Sequence, residues 1–214
     1  MNNALILVGA GPGMGIALAD LFGQHGYRVG LINRQPDKVA EQVAQLTAKG
    51  IEVYSAAADA SQPEALAQAI TALQAKLGPV SALIYNAAAM KAQDILAETA
   101  ETLTQDFRLN VAGALQSVQL LHADLKATQG VVLLTGGVFG VTPYPSYGSL
   151  SIGKAGIRNL AQQLHERLKD DGIYAGTLTI GGSVSPDSPT HSPAQLAELF
   201  WQMAQDRTAA EVQH

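Results

Sequence analysis

Gly9-Ala10-Gly11-Pro12-Gly13-Met14-Gly15-Ile16 follows directly on the apolar run Ala4–Val8, and four of its seven positions from 9 to 15 are glycine. A strand running straight into such a turn and then into a helix has a geometric meaning. The turn must be tight, its backbone must come close to a pyrophosphate, and the helix must pack hard on the sheet, so side chains are excluded. The first turn of the helix then offers unpaired N–H groups and a positive dipole end to the phosphates. A merely tight strand-to-helix turn does not need four glycines. Gly9, Gly11, Pro12, Gly13, Met14 and Gly15 are therefore expected to cradle a dinucleotide.

The rest of the chain repeats the same alternation. Apolar runs of strand length stand at Arg28–Ile32, Glu52–Ala56, Ala82–Tyr85, Val131–Thr135 and Ile173–Ile180, the pattern of strands buried on both faces. Between them Val39, Val43 and Leu46 recur at helical spacing before Gly50, and Leu66, Ile70, Leu73 and Leu77 before Gly78-Pro79. Ser61-Gln62-Pro63-Glu64 reads as a capping box with proline in the first turn. Longer helices are predicted over Glu101–Leu125 and Ser146–Lys169, the latter stopping at Gly172. Ser183–Ser192 reads as a loop, Pro193–Gln205 as a helix carrying Leu196, Leu199, Phe200 and Met203, and Ala210–Val212 as a brief last strand. Strand and helix alternate six times, which implies a parallel sheet with helices on both sides, joined by right-handed crossovers. The expectation is one doubly wound, three-layer α/β domain over residues 1–214, with a short substrate loop and helix at 183–205.

Composition narrows the function classes. The 214 residues are 47% hydrophobic and carry a formal net charge of −5, with a pI near 5.4. That balance argues against nucleic-acid binding, which calls for a basic face. There is no cysteine, hence no disulfide or thiolate chemistry, as suits a cytoplasmic protein. Ala4–Val8 is too short for a signal-peptide core or a membrane span. His25, His122, His165, His191 and His214 show no metal-ligand spacing, and no metal is expected.

The second strand ends Leu31-Ile32-Asn33-Arg34. Proteins that prefer NAD place a carboxylate about here to accept hydrogen bonds from ribose hydroxyls. A neutral Asn33 followed by cationic Arg34 suits a 2′-phosphate instead, so NADP(H) is favoured over NAD(H).

These stations together resemble the short-chain dehydrogenase/reductase family along nearly the whole chain. Gly9-xxx-Gly13-x-Gly15 has that family's spacing. Asp59 and the adjacent Ala60 match its adenine-contacting segment, and Asn86-Ala87-Ala88 its Asn-Ala-Gly segment. Asn110 in Leu109-Asn110-Val111-Ala112-Gly113 looks like its active-site asparagine. Lys154 looks like the lysine of its Tyr-x-x-x-Lys motif. Gly181-Gly182, followed by Val184, stands where the backbone usually faces the nicotinamide amide. The resemblance implies hydride transfer between a nicotinamide cofactor and a small carbonyl or alcohol, and association through the two long helices into a homodimer or homotetramer.

Two residues depart from the family pattern. Leu150 stands four residues before Lys154, where the tyrosine belongs, and Gly137 stands where the serine belongs. In the family that tyrosine supplies a proton to the developing alkoxide. The neighbouring lysine lowers a phenol pKa that is otherwise about 10 and also holds the nicotinamide ribose. Lys154, flanked by Ile152, Gly153, Ala155, Gly156 and Ile157, keeps the second task. For the proton, Tyr147 is the leading candidate, with a water as the alternative. On a continuous helix the tyrosine faces the same way as Lys154, although seven residues rise ~10.5 Å against ~6 Å for four. The other reading makes Tyr147 a wall of the substrate cleft. Thr135 is the candidate to replace the serine hydroxyl. The second functional reading is a dinucleotide-binding sensor with little or no turnover.

Overall fold

The computed structural model describes residues 3–214. Seven strands form one sheet in the order β3-β2-β1-β4-β5-β6-β7, every neighbouring pair parallel. They are β1 Ala4–Val8, β2 Arg28–Asn33, β3 Val53–Ala57, β4 Ala82–Tyr85, β5 Val131–Thr135, β6 Tyr174–Thr179 and β7 Glu211–Gln213. The helices between them are α1 Met14–Gln24, α2 Pro36–Ala48, α3 Pro63–Leu77, α4 Ala100–Phe107, α5 Gly113–Thr128, α6 Gly148–Leu168 and α7 Pro193–Asp206.

The layers follow from strand alternation, since successive side chains point to opposite faces. Ile6 and Val8 join Leu66, Ile70, Leu121, Ile157 and Leu164 in one core, on the side of α3, α5 and α6. Leu5 and Leu7 join Leu18, Phe22, Leu46, Leu196 and Phe200 in the other, on the side of α1, α2 and α7. All five residues of β1 are buried, as a central parallel strand requires. Phe200 is fully buried. Trp201 packs edge-on against Phe22 and stacks on His25 at 3.9 Å between centroids, so both α7 aromatics serve packing.

Five expectations need correction. The helix predicted over Glu101–Leu125 is two helices joined by a π-helical turn, Arg108–Ala112. The Tyr85 hydroxyl donates to the Leu109 carbonyl, drawing that acceptor out of the α-helical ladder. The helix predicted from Ser146 begins at Gly148 instead, with Tyr147 as its N-cap at φ −130° and ψ 51°. Gln93 and Tyr147 form an isolated parallel bridge that holds the preceding chain extended. The capping box at Ser61 does not form. Pro63 takes the first helical position, which makes Gln62 the cap without a side-chain bond and leaves Ser61 donating its N–H to Asp59 at 2.9 Å. The strand predicted over Ile173–Ile180 is shorter by one residue at each end, and the last strand lies one residue later than Ala210–Val212.

β7 is tied to the rest through Glu211. Arg158 Nε donates to both of its oxygens, at 2.9 and 2.8 Å, and Thr179 Oγ1 donates at 2.7 Å. The Arg158 hydrogen bond is the main reason the Glu211 carboxyl is held below its ordinary range. A depressed folded pKa means the contribution is present above the unfolded value and is lost as pH falls through the folded one. Glu211→Gln should therefore melt below the wild type at pH 7, and the gap should close under acid conditions, measured by thermal unfolding across pH. A second expectation concerns Gly9 at φ +88°, where an added Cβ would stand 2.4 Å from the Ala87 nitrogen. Overpacking costs about 1–3 kcal/mol and a left-handed backbone about 1–2 kcal/mol more for a side-chain-bearing residue. Gly9→Ala should lower unfolding free energy by a sum of that order in urea titration.

Candidate active site

A cleft of about 250 Å³ opens at the carboxyl ends of β1, β2, β3 and β4. Strand order reverses between β1 and β4, the topological switch point at which open α/β sheets bind ligands. Val8, Gly9 and Gly11 form its floor, Asn33 and Arg34 one end, Ala58, Asp59 and Ala60 the adjoining wall, and Asn86, Ala87, Ala88 and Leu109 the opposite side.

The four glycines divide by function. Gly9 lies against the Ala87 backbone, and a Cβ on Gly15 would stand 2.8 Å from the Ala10 Cα, so these two let elements approach. Gly11 and Gly13 have nothing within 4 Å of where a Cβ would be. Their bareness leaves space rather than filling it. The α1 N-cap is Gly13, with no side-chain cap bond, and the first-turn amides of Met14 and Gly15 have no preceding helical carbonyl to bond. A cradle of backbone N–H groups with no side chain in front of it fits a pyrophosphate. Pro12 and Gly13 also border a second, apolar groove on the outer side of α1, shared with Pro186 and Pro193.

Asn33 is turned back on the turn: its amide donates to the Ala10 carbonyl, and its Oδ1 accepts from the Gln35 N–H at 3.0 Å. Arg34 is exposed at the cleft rim, and none of the ion pairs among the described residues includes it. The guanidinium is thus the group able to meet a phosphate here, while Asn33 shapes the turn.

A run of hydrogen bonds crosses the carboxyl ends of β5, β4 and β1 from α6 to the glycine turn. Lys154 Nζ donates to the Thr135 carbonyl at 2.8 Å, Thr135 Oγ1 donates to Asn86 Oδ1 at 2.9 Å, and Asn86 Nδ2 donates to the Gly9 carbonyl at 2.9 Å. Burial pushes the Lys154 amine down to about 8. The lysine stem runs over Gly137, where a Cβ would be 3.5 Å from its Cδ and Cε.

Asn110 sits in the π turn, 3% exposed. Its Oδ1 accepts from the Ala89 N–H at 2.7 Å, while its Nδ2 has no partner among the described residues. A Cβ on Gly153 would stand 2.3 Å from that nitrogen, so Gly153 makes the room that seats the amide against α6. Tyr85, whose hydroxyl braces the same turn, has its phenol pushed up by burial and by the Asp59 charge.

The remaining predicted residues are less closely gathered. Leu150 is 1% exposed and belongs to the helix interior. Tyr147 precedes α6, so the shared helical face with Lys154 is not realised. Its ring stacks on Phe139 at 5.1 Å and 26°, and Phe139 in turn meets Tyr144 at 5.7 Å. Gly181, Gly182 and Val184 are exposed beyond the end of β6, outside the lining of the cleft. Gly181 N donates to the His214 carbonyl at 2.6 Å, and Gly182 lies against the His191 ring. His191 itself contacts Thr190 and the His214 carbonyl.

The sequence does not mark Phe139 as a stacking partner of Tyr147, Leu109 as part of the cleft lining, or Gly153 as the seat of Asn110. An aromatic residue between Gly137 and Gly140, in an otherwise small-residue stretch, was the available signal for the first. Nothing local marks the other two, whose neighbours come from distant elements.

Comparison with known proteins agrees with this geometry. The sequence profile described as short chain dehydrogenase matches residues 3–191. The chain is 26% identical over 179 residues to 3-dehydrosphinganine reductase of Arabidopsis thaliana, covering 81% of this chain and 53% of that protein. It is 27% identical over 197 residues to the NADPH-dependent 1-acyldihydroxyacetone phosphate reductase of Saccharomyces cerevisiae, covering 91% of this chain and 65% of that protein. The chain thus spans half to two thirds of these relatives. Among solved structures, L-sorbose reductase from Gluconobacter frateurii, complexed with NADPH and L-sorbose, superposes with a TM-score of 0.90 at 20% identity, covering 98% of this chain and 93% of that one. Glycine turn, switch-point cleft, Asn86, Asn110 and Lys154 occur in one chain whose sequence matches the profile over nearly its full length, and the protein belongs to the short chain dehydrogenase family.

Proposed function

We propose that the protein is an NADP(H)-dependent oxidoreductase that moves hydride to or from a small carbonyl or alcohol substrate. The observation that carries the cofactor choice is Arg34, exposed at the rim of the cleft just after β2, which ends in Asn33 and not in a carboxylate. NAD(H) remains the weaker ligand on this reading, since the end of β2 offers no acidic group to the ribose hydroxyls.

A bound nicotinamide supplies the hydride, and the chain supplies position and a proton. In this assignment the amides of Met14 and Gly15, with Gly9, Gly11, Pro12 and Gly13, hold the pyrophosphate. Asn33 fixes the turn while Arg34 holds the 2′-phosphate. Asp59 and Ala60 meet the adenine, and Asn86, Ala87 and Ala88 line the path of the chain's cofactor toward Lys154, which holds the nicotinamide ribose. Gly181, Gly182 and Val184 face the carboxamide. Thr135 and Asn110 organise the lysine, and Tyr147 with Phe139 walls the substrate. The loop and helix at 183–205 cover that side.

The leucine at 150 and the glycine at 137 favour a second reading, a dinucleotide-binding sensor without turnover. We further propose a cytoplasmic homodimer or homotetramer built on the α4–α5 stretch and α6, where Phe107 and Ile152 are about 40% exposed. No helix among the described residues is long and apolar enough to cross a membrane.

Calorimetry should find NADPH bound more tightly than NADH. Arg34→Ala should weaken NADPH about tenfold or more and leave NADH little changed, because a charge-assisted hydrogen bond contributes about 1.5–3 kcal/mol. Tighter NADH binding would reverse the cofactor assignment. NADPH consumption over aldehydes, ketones and quinones separates the two readings: binding without consumption supports the sensor. Light scattering should give a dimer or tetramer mass, and a monomer mass would contradict the assembly.

A further inference from the structure

The chain after β6 leaves the sheet at Gly181 and comes back to it at Thr190 and His191, just before α7. One residue meets both places. His214, the next residue after β7, extends the β6–β7 ladder: its N–H donates to the Thr179 carbonyl at 3.1 Å, and its carbonyl accepts from the Gly181 N–H at 2.6 Å. Its imidazole Nε2 donates to the Thr190 carbonyl at 2.8 Å, and its carbonyl oxygen accepts a second bond, from His191 Nε2 at 3.2 Å. Both rings serve at once, because carbonyl acceptors call for a proton on each Nε2. His191 Nδ1 then accepts from the Thr190 hydroxyl at 2.7 Å. The two rings lie 5.1 Å apart. Glycine at 182 leaves the room that the His191 ring occupies, since a Cβ there would stand 2.8 Å from its Cε1.

The loop is thus closed at its base by a single residue. From Ser183 to Ser188 the hydrogen bonds stay within the loop: Asp187 N–H donates to Ser185 Oγ at 3.3 Å, Ser188 N–H to the Ser185 carbonyl at 3.0 Å, and His191 N–H to Ser188 Oγ at 3.0 Å. Gln195 of α7 adds one bond, to the Pro189 carbonyl at 2.9 Å. The strand that leads to His214 is itself held to the lysine helix. Arg158, one turn beyond Lys154 on α6, donates to both oxygens of Glu211, and Thr179 donates to the same carboxylate. β7 therefore connects the helix that presents Lys154 with the base of the loop that follows Gly181.

We propose that His214 is a positioning residue for the nicotinamide half of the cofactor, clasping both ends of the 181–191 loop and so setting Gly181, Gly182 and Val184 relative to Lys154. The inference rests on the cofactor reading above, in which those three residues face the carboxamide and Lys154 holds the adjoining ribose. His214 acts through the loop and touches neither Lys154 nor the glycine turn. The side-chain part of the clasp is one hydrogen bond between two exposed residues, so its removal has a modest effect, confined to a ligand that reaches the loop.

His214→Ala removes the imidazole and keeps the ladder bonds of the backbone, whereas His214→Gln places an amide N–H about where Nε2 stands. Calorimetry compares NADPH with 2′-phospho-ADP-ribose, the same molecule without its nicotinamide. His214→Ala should bind NADPH about two- to tenfold more weakly than the wild type does and bind 2′-phospho-ADP-ribose equally well. His214→Gln should recover most of the NADPH affinity. Equal loss for both ligands, or no loss for either, would overturn the positioning role. Hydrogen exchange without any ligand, read by mass spectrometry, reports on the clasp itself. Residues 182–191 should exchange faster in His214→Ala than in the wild type, and an unchanged rate would overturn the clasp. Wild-type protein that binds neither ligand, with faster exchange still seen in His214→Ala, would instead overturn the cofactor reading.

Discussion

The backbone of Gly9 rests on the backbone of Ala87, a contact that any β-carbon would close off. This approach joins the end of β1 to the segment after β4 at the point where the strand order reverses. It sets the width of the cleft, brings Asn86 within reach of the Gly9 carbonyl, and fixes where α1 begins. Gly15 does the same on the helix side by admitting Ala10. With both approaches made, Gly11 and Gly13 face open space and a helix N-terminus, and the molecule has a place for negative charge without a single lysine or arginine in the turn itself.

The second dependence runs sideways across the carboxyl ends of the central strands. Lys154, Thr135, Asn86 and Gly9 form one line of hydrogen bonds, so the amine on α6 and the glycine turn after β1 are mutually positioned by β5 and the chain after β4. The π turn adds a third anchor. By bulging the α4–α5 connection, it sets Asn110 against Gly153 with one donor unpaired, and buried π bulges of this kind recur at functional sites. The arrangement keeps the lysine partly buried and oriented even though a buried leucine stands four residues before it.

Much of this was readable before any coordinates. Continuous apolar runs located β1, β4 and β5 to the residue, because a strand buried on both faces leaves no polar position to blur its ends. The misreadings share a cause. Glu101–Leu125 has unbroken helical periodicity, and the π turn inside it comes from a hydroxyl on β4 that local sequence does not announce. Ser61 has the right spacing for a capping box, yet Pro63 moved the helix start by one residue. Tyr147 lay close to the lysine in sequence, but pairing with Gln93 held it off the helix.

Residue order and type were enough to establish an α/β sheet, a glycine-rich turn after its first strand, a cation at the end of its second, and the absence of a phenol at position 150, because each is a short-range pattern of backbone freedom, periodicity or charge. The partner of each polar atom was beyond their reach. Asn33 turning to Ala10, Thr135 to Asn86, and the lysine stem settling over Gly137 all depend on chain segments distant in sequence meeting at the carboxyl end of the sheet. Desolvation of the Lys154 amine is a property of that meeting, since no neighbour in sequence removes water from it.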